Sequence, residues 1–145
     1  MLSAYFNLNK EDFLRVLKSC SIVSFRYNII GGLNPNELEN TYNTMALNIL
    51  KNKKFAKDDL KDVYPNDDNF ETDFTIATFK NTGRNNKIVK YILSKIEKQE
   101  FHTSLEFDTD FYSIEQIIPI SVNDWDNLRE DEIERSLYRL GISHC

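Results

Sequence analysis

"GGLNPNELENTYNTMALNIL", residues 31–50, is the stretch whose reading decides the fold class. It opens on Gly31 and Gly32, which permit backbone angles that other residues resist. Asn34 then stands as an N-cap, Pro35 takes the first helical position, and Glu37 follows three residues after the cap. A helix start is thus written out residue by residue. Beyond it Leu38, Tyr42, Met45, Ala46, Ile49 and Leu50 recur at helical spacings and form one apolar stripe. The helix ends in the basic, poorly apolar "KNKKF" of residues 51–55.

The flanks repeat this grammar. Asn9 precedes "KEDFLRVLKSC", with Asp12 at the third helical position and apolar residues at 13, 14, 16, 17 and 20, so a second capped helix runs to about Val23. "FRYNIIGG" after it reads as a break. Residues 55–84 mix short helical signals with a turn at "YPNDDN". The run Phe74 to Phe79 fits strand or helix, and its helical neighbours favour helix. From Asn85, "NNKIVKYILSKIEKQ" sets Ile88, Tyr91, Ile92, Lys95 and Ile96 at helical spacing, with lysines around the other faces. The polar "EFHTSLEFDTD" leads into "YSIEQIIP", whose isoleucines suggest a strand. "NLREDEIERSLYRLG" then reads as a last helix that stops at Gly141. The expected fold is mainly α: a helical bundle with a small β element near residues 107–118.

With 145 residues, the chain is long enough for one domain with a real core. No apolar run approaches the roughly 20 residues that span a bilayer, and the N-terminus lacks a charged region followed by an apolar one. No membrane partner and a cytoplasmic location are expected. Cys20 and Cys145 have neither disulfide-framework nor metal-ligand spacing and read as reduced thiols.

The net charge of -5 argues against a surface dominated by nucleic acid, yet the charge is unevenly spread. Between 80 and 98, Lys80, Arg84, Lys87, Lys90, Lys95 and Lys98 face a single acid, Glu97, whereas acids dominate from 100 to 135. Two solvated faces account for this; so does a basic helix that tracks phosphates, with Arg84, Lys87, Lys90, Lys95 and Lys98 as its contacts.

Chemistry is restricted by the histidine supply. His102 and His144 are the only two, and neither has a second ligand at metal-site spacing. There is no glycine-rich phosphate loop and no serine-nucleophile signature, and Trp125 reads as a loop anchor. What remains is Glu115 beside Gln116, inside a run with Ile114, Ile117 and Ile118. Polar groups placed there cost free energy unless they face water, find partners or do chemistry.

"YSIEQIIP", followed at short distance by Trp125 and by a helix ending in "RLG", resembles the C-terminal region of the GmrSD-type restriction endonucleases, modification-dependent DNA nucleases with an HNH-like (His-Me finger) domain. "FRYNIIGGLNPNELENTYNTMALNIL" and "YILSKIE" resemble the helical region that precedes that motif, so the likeness covers nearly all of the chain. On this resemblance residues 1–100 form the helical region and 101–145 an HNH-like segment, packed as one domain. Such a site needs a metal on the scissile phosphate and a neutral imidazole to take a proton from water. The resemblance implies that Glu115 takes the acid position that helps hold the metal, and that Gln116 stands where the family has its histidine base. An amide cannot accept a proton near neutral pH. The family continues past "RLG" to a second metal ligand, whereas this sequence reads Ile142, Ser143, His144 and Cys145, so the resemblance implies a truncated, degenerate finger.

The expectation is therefore a non-catalytic relative that binds DNA weakly or contacts another restriction-system protein. No cofactor is expected, and a divalent metal at Glu115 only if the site is active. A second copy is expected to cover apolar positions such as Ile117, Ile118 and Leu140. Two alternatives stand beside it. One is an active metal-dependent endonuclease with rearranged ligands, His102 or His144 being supplied by a dimer. The other is a helical protein-interaction module in which Glu115 bonds to backbone or to Arg135 or Arg139.

Overall fold

The computed structural model describes residues 1–80 and 82–102, together with Ile114. The β element expected near 107–118 and the helix expected over 127–141 lie outside the described residues. Among the described residues every regular element is helical: α1 (Leu2–Asn7), α2 (Lys10–Ser24), a π-helical turn (Phe25–Ile30), α3 (Pro35–Asn52), a 3-10 segment (Lys57–Val63), α4 (Asp67–Ile76) and α5 (Gly83–Phe101). No helix among these residues is long and apolar enough to cross a membrane. The chain divides into two compact units, residues 1–75 and 76–145.

The first unit is built on the helix starts written in the sequence. The Asn9 side chain accepts from the Asp12 amide at 2.8 Å while its own Nδ2 donates to the Asp12 carboxylate, a reciprocal cap that opens α2. Asn34 accepts from the Asn36 amide at 3.0 Å and opens α3 behind Pro35. Glu37 is used differently from a capping box: its carboxylate accepts the Tyr27 hydroxyl at 2.8 Å and so ties α3 to the π-helical turn. From α2 come Val16, Cys20 and Val23, from α3 Leu38, Met45 and Ile49, and from the 3-10 segment Leu60 and Val63, all buried in one core with Ala4, Tyr27 and Phe55. Each fully buried aliphatic side chain here contributes about 1.5–3 kcal/mol.

The break that the sequence marks within "FRYNIIGG" comes only at its glycines: Phe25–Ile30 continue α2 as the π-helical turn before the chain leaves it. Two glycines end it for different reasons. Gly31 donates to the Arg26 carbonyl at 2.9 Å, and an added Cβ would lie 3.1 Å from that oxygen and 3.2 Å from the Tyr27 carbonyl. Gly32 takes the left-handed conformation, φ 56°. The expected 74–79 helix is α4, which starts earlier: Asn66 caps it through the Asn69 amide, and it ends at Ile76.

Arg26, carried by the π-helical turn, grips the start of α4. Its guanidinium donates to the Pro65 carbonyl at 3.0 Å and to Asp67 at 2.6 Å, and lies 4.8 Å and 4.4 Å from the ring centres of Tyr64 and Phe70. Because Asp67 is 85% exposed, the ion pair itself counts for little, and the weight rests on the carbonyl and the two rings. Arg26→Ala is expected to lower unfolding free energy by about 2 kcal/mol in urea titration. Arg26→Lys should recover little of that, since a compact ammonium lacks the planar fork and the stacking surface. A loss under 0.5 kcal/mol for Arg26→Ala would contradict this account.

Three core groups resist ionisation. Burial raises the Cys20 thiol. Burial and the Glu37 carboxylate raise the Tyr27 phenol, and burial raises that of Tyr42, whose hydroxyl donates to the Cys20 carbonyl and accepts from Ser24. All three are acids raised in the folded state, so their stabilising effect is whole at neutral pH and is lost as pH climbs above about 9. The thermal midpoint should fall between pH 8 and 10.5, and less steeply in the Tyr27→Phe, Tyr42→Phe double variant. An equal slope in that variant would refute the assignment.

Candidate nucleic-acid interface

α5 begins where Thr82 accepts from the Asn85 amide at 3.3 Å, and Asn85 Nδ2 donates back to the Lys80 carbonyl at 2.9 Å. The helix therefore starts two residues before the Asn85 at which its pattern becomes clear. Val89 and Ile92 are buried, and Ile88 and Tyr91 are half-buried. Ile96, one of the stripe residues of the sequence, is 41% exposed.

At about 100° of rotation per residue, Arg84, Lys87, Lys95 and Lys98 fall within roughly 80° of one another, and the centre of that stripe lies roughly 130° from Val89 and Ile92. All four are exposed. The structure thus brings four of the five expected contacts onto one side. It sets Lys90 apart: half-buried, it lies roughly 60° further round from Lys87. The helix's two acids, Glu97 and Glu100, fall roughly 80° or more outside the stripe. Tyr91 sits at the stripe's centre, and the Lys95 ammonium lies 5.1 Å from the centre of its ring.

The charges run against what helix stability prefers. A helix N-terminus favours acids in its first turn, and α5 has none there, with Arg84 as its second residue. The positive end of the helix and two cations, Arg84 and Lys87, therefore add rather than cancel, which suits an anion. The stripe offers cations and a phenol, groups that can bind phosphates.

Glu115, Gln116 and His144 lie outside the described residues. His102 ends α5 in the left-handed conformation, φ 55°, with its ring exposed. Among the described residues no group of three His, Cys, Asp or Glu could hold a metal ion.

The family model described as "GmrSD restriction endonucleases, C-terminal domain" matches residues 64–141, more than half of the chain. The chain belongs to this family of restriction-endonuclease C-terminal domains. The match takes in α4, α5 and the "YSIEQIIP" segment, and leaves residues 1–63 outside it. No curated protein and no solved structure matches the chain.

If the cations of α5 serve binding and the apolar side serves folding, the two sets separate in stability measurements. Ile92→Ala is expected to cost about 2–5 kcal/mol, whereas Arg84→Ala and Lys98→Ala stay within about 0.5 kcal/mol of the parent. A cost above 1 kcal/mol for either cation would mark it as structural.

Proposed function

We propose that this protein is a DNA-associating member of its family that holds DNA without hydrolysing it. The observation that carries the reading is the row of exposed cations on α5, clear of that helix's own acids and inside the region matched by the family. Phosphate contacts by Lys and Arg supply most of the sequence-independent affinity for DNA, and a row along one helix side is a form in which a backbone can be followed.

The absence of hydrolysis is argued from position 116. On the resemblance, the family's proton acceptor falls there, and this chain has Gln116, whose amide cannot accept a proton from water near neutral pH. Glu115 remains a candidate ligand for a divalent ion, which would supply charge stabilisation at a phosphate. Without a base to activate water, that stabilisation acts on bound DNA and gives no cleavage.

Plain and base-modified DNA incubated with the purified protein and Mg²⁺ or Mn²⁺ should remain intact. Metal-dependent cutting that disappears in Glu115→Ala would overturn the non-catalytic part of the reading. If that cutting also vanished on replacing His102 and His144 together, the histidine-rearranged endonuclease would take its place.

A further inference from the structure

The four exposed cations of α5 are not evenly spaced. Arg84 and Lys87 form one pair and Lys95 and Lys98 another, on the same side of one continuous helix. At 1.5 Å of rise per residue the pair midpoints stand roughly 16 Å apart, and the whole row covers about 21 Å. Between them the stripe carries Tyr91, the aromatic residue beside the Lys95 ammonium. The two phosphate rows that wall the major groove of a duplex are separated by a groove about 12 Å wide, and the flexible arms of Arg and Lys make up the remaining difference.

We infer that α5 lies across the major groove of duplex DNA, the Arg84 and Lys87 pair on one phosphate row and the Lys95 and Lys98 pair on the other. This rests on the DNA-associating reading and adds to it the form of the ligand. A helix that rests on both walls bridges the base edges instead of entering between them, so binding is indifferent to sequence. It also prefers a duplex, because a single strand has no second phosphate row at a fixed distance. The helix N-terminus reinforces the first pair, and its partial positive charge places that pair as the tighter of the two.

The experiment is a titration of fluorescent 20-base-pair duplexes of two unrelated sequences, and of one matching single strand, between 50 and 200 mM salt. With four phosphates neutralised, the log-log slope on duplex should be about -3.6, an affinity loss of about 150-fold over that range. Both sequences should behave alike and the single strand should bind more weakly. Arg84→Gln with Lys87→Gln, and separately Lys95→Gln with Lys98→Gln, should each roughly halve the slope. The exchange Lys95→Glu with Glu97→Lys leaves net charge unchanged while moving a cation roughly 160° round the helix, and should lower the slope by at least about 0.9.

Each other outcome has a definite meaning. Equal affinity for single strand and duplex, or a charge exchange without effect, overturns the groove-spanning geometry while the DNA-associating reading stands. So does affinity that differs more than tenfold between the two duplex sequences. Absence of salt-dependent binding to any of the three overturns both.

Discussion

Burial of Val89 and Ile92 on one side of α5 is the constraint from which the functional reading follows. Two apolar side chains fixed on one side set the rotation of the whole helix, and the cations then have no choice of direction. In another register the same four cations, kept together by their spacing, would turn towards the packed side instead of towards solvent. Here they form an exposed row clear of the helix's own two acids, Glu97 and Glu100. That row comes at some cost to helix stability, because cations occupy the first turn, where the helix dipole favours the opposite sign. A local preference broken without a visible structural gain is where function is expected to show.

The first unit does different work. Its core is closed by α2, α3 and the 3-10 segment, and the π-helical turn carries both Tyr27, bonded to Glu37, and Arg26, clasped by Tyr64, Pro65, Asp67 and Phe70. The family match begins at Tyr64, so the Arg26 contact joins the N-terminal helices, outside the match, to the first residues within it. A half-buried guanidinium held between two rings suits that role, since it combines directional hydrogen bonds with apolar contact area.

Legibility in the sequence followed the range of the interactions. Asn9, Asn34 and Pro35 act on amides two or three residues away, and those helix starts could be read without knowing the fold. Glu37 looked like the second half of a capping box, but its partner Tyr27 belongs to another element, and no local pattern announces that. The same holds for α1, a six-residue helix too short to be stable alone, which is held by Ser3 donating to the Ala46 carbonyl, 43 residues away, and by Lys53 donating to Asn7. The π-helical turn was hidden behind "FRYNIIGG", where the glycines were read as the break and the helix in fact extends to meet them. At the candidate interface all five cations were legible as a group. The spacing that sets Lys90 apart from the other four was there to be read as well, but its half-burial was not, because that depends on which side of α5 packs. The motif at Glu115 and Gln116 was legible through its resemblance alone, and it lies beyond the described residues.

The most direct test of the α5 side as the functional surface is an amide chemical-shift titration of the whole chain with a short duplex. The account predicts shifts concentrated at residues 83–98, largest around Arg84, Lys87, Lys95 and Lys98, with Val16, Val23 and Ile49 unmoved. Shifts confined to the exposed apolar residues of the first unit, such as Leu2, Phe6 and Leu47, or no shifts at all, would contradict it.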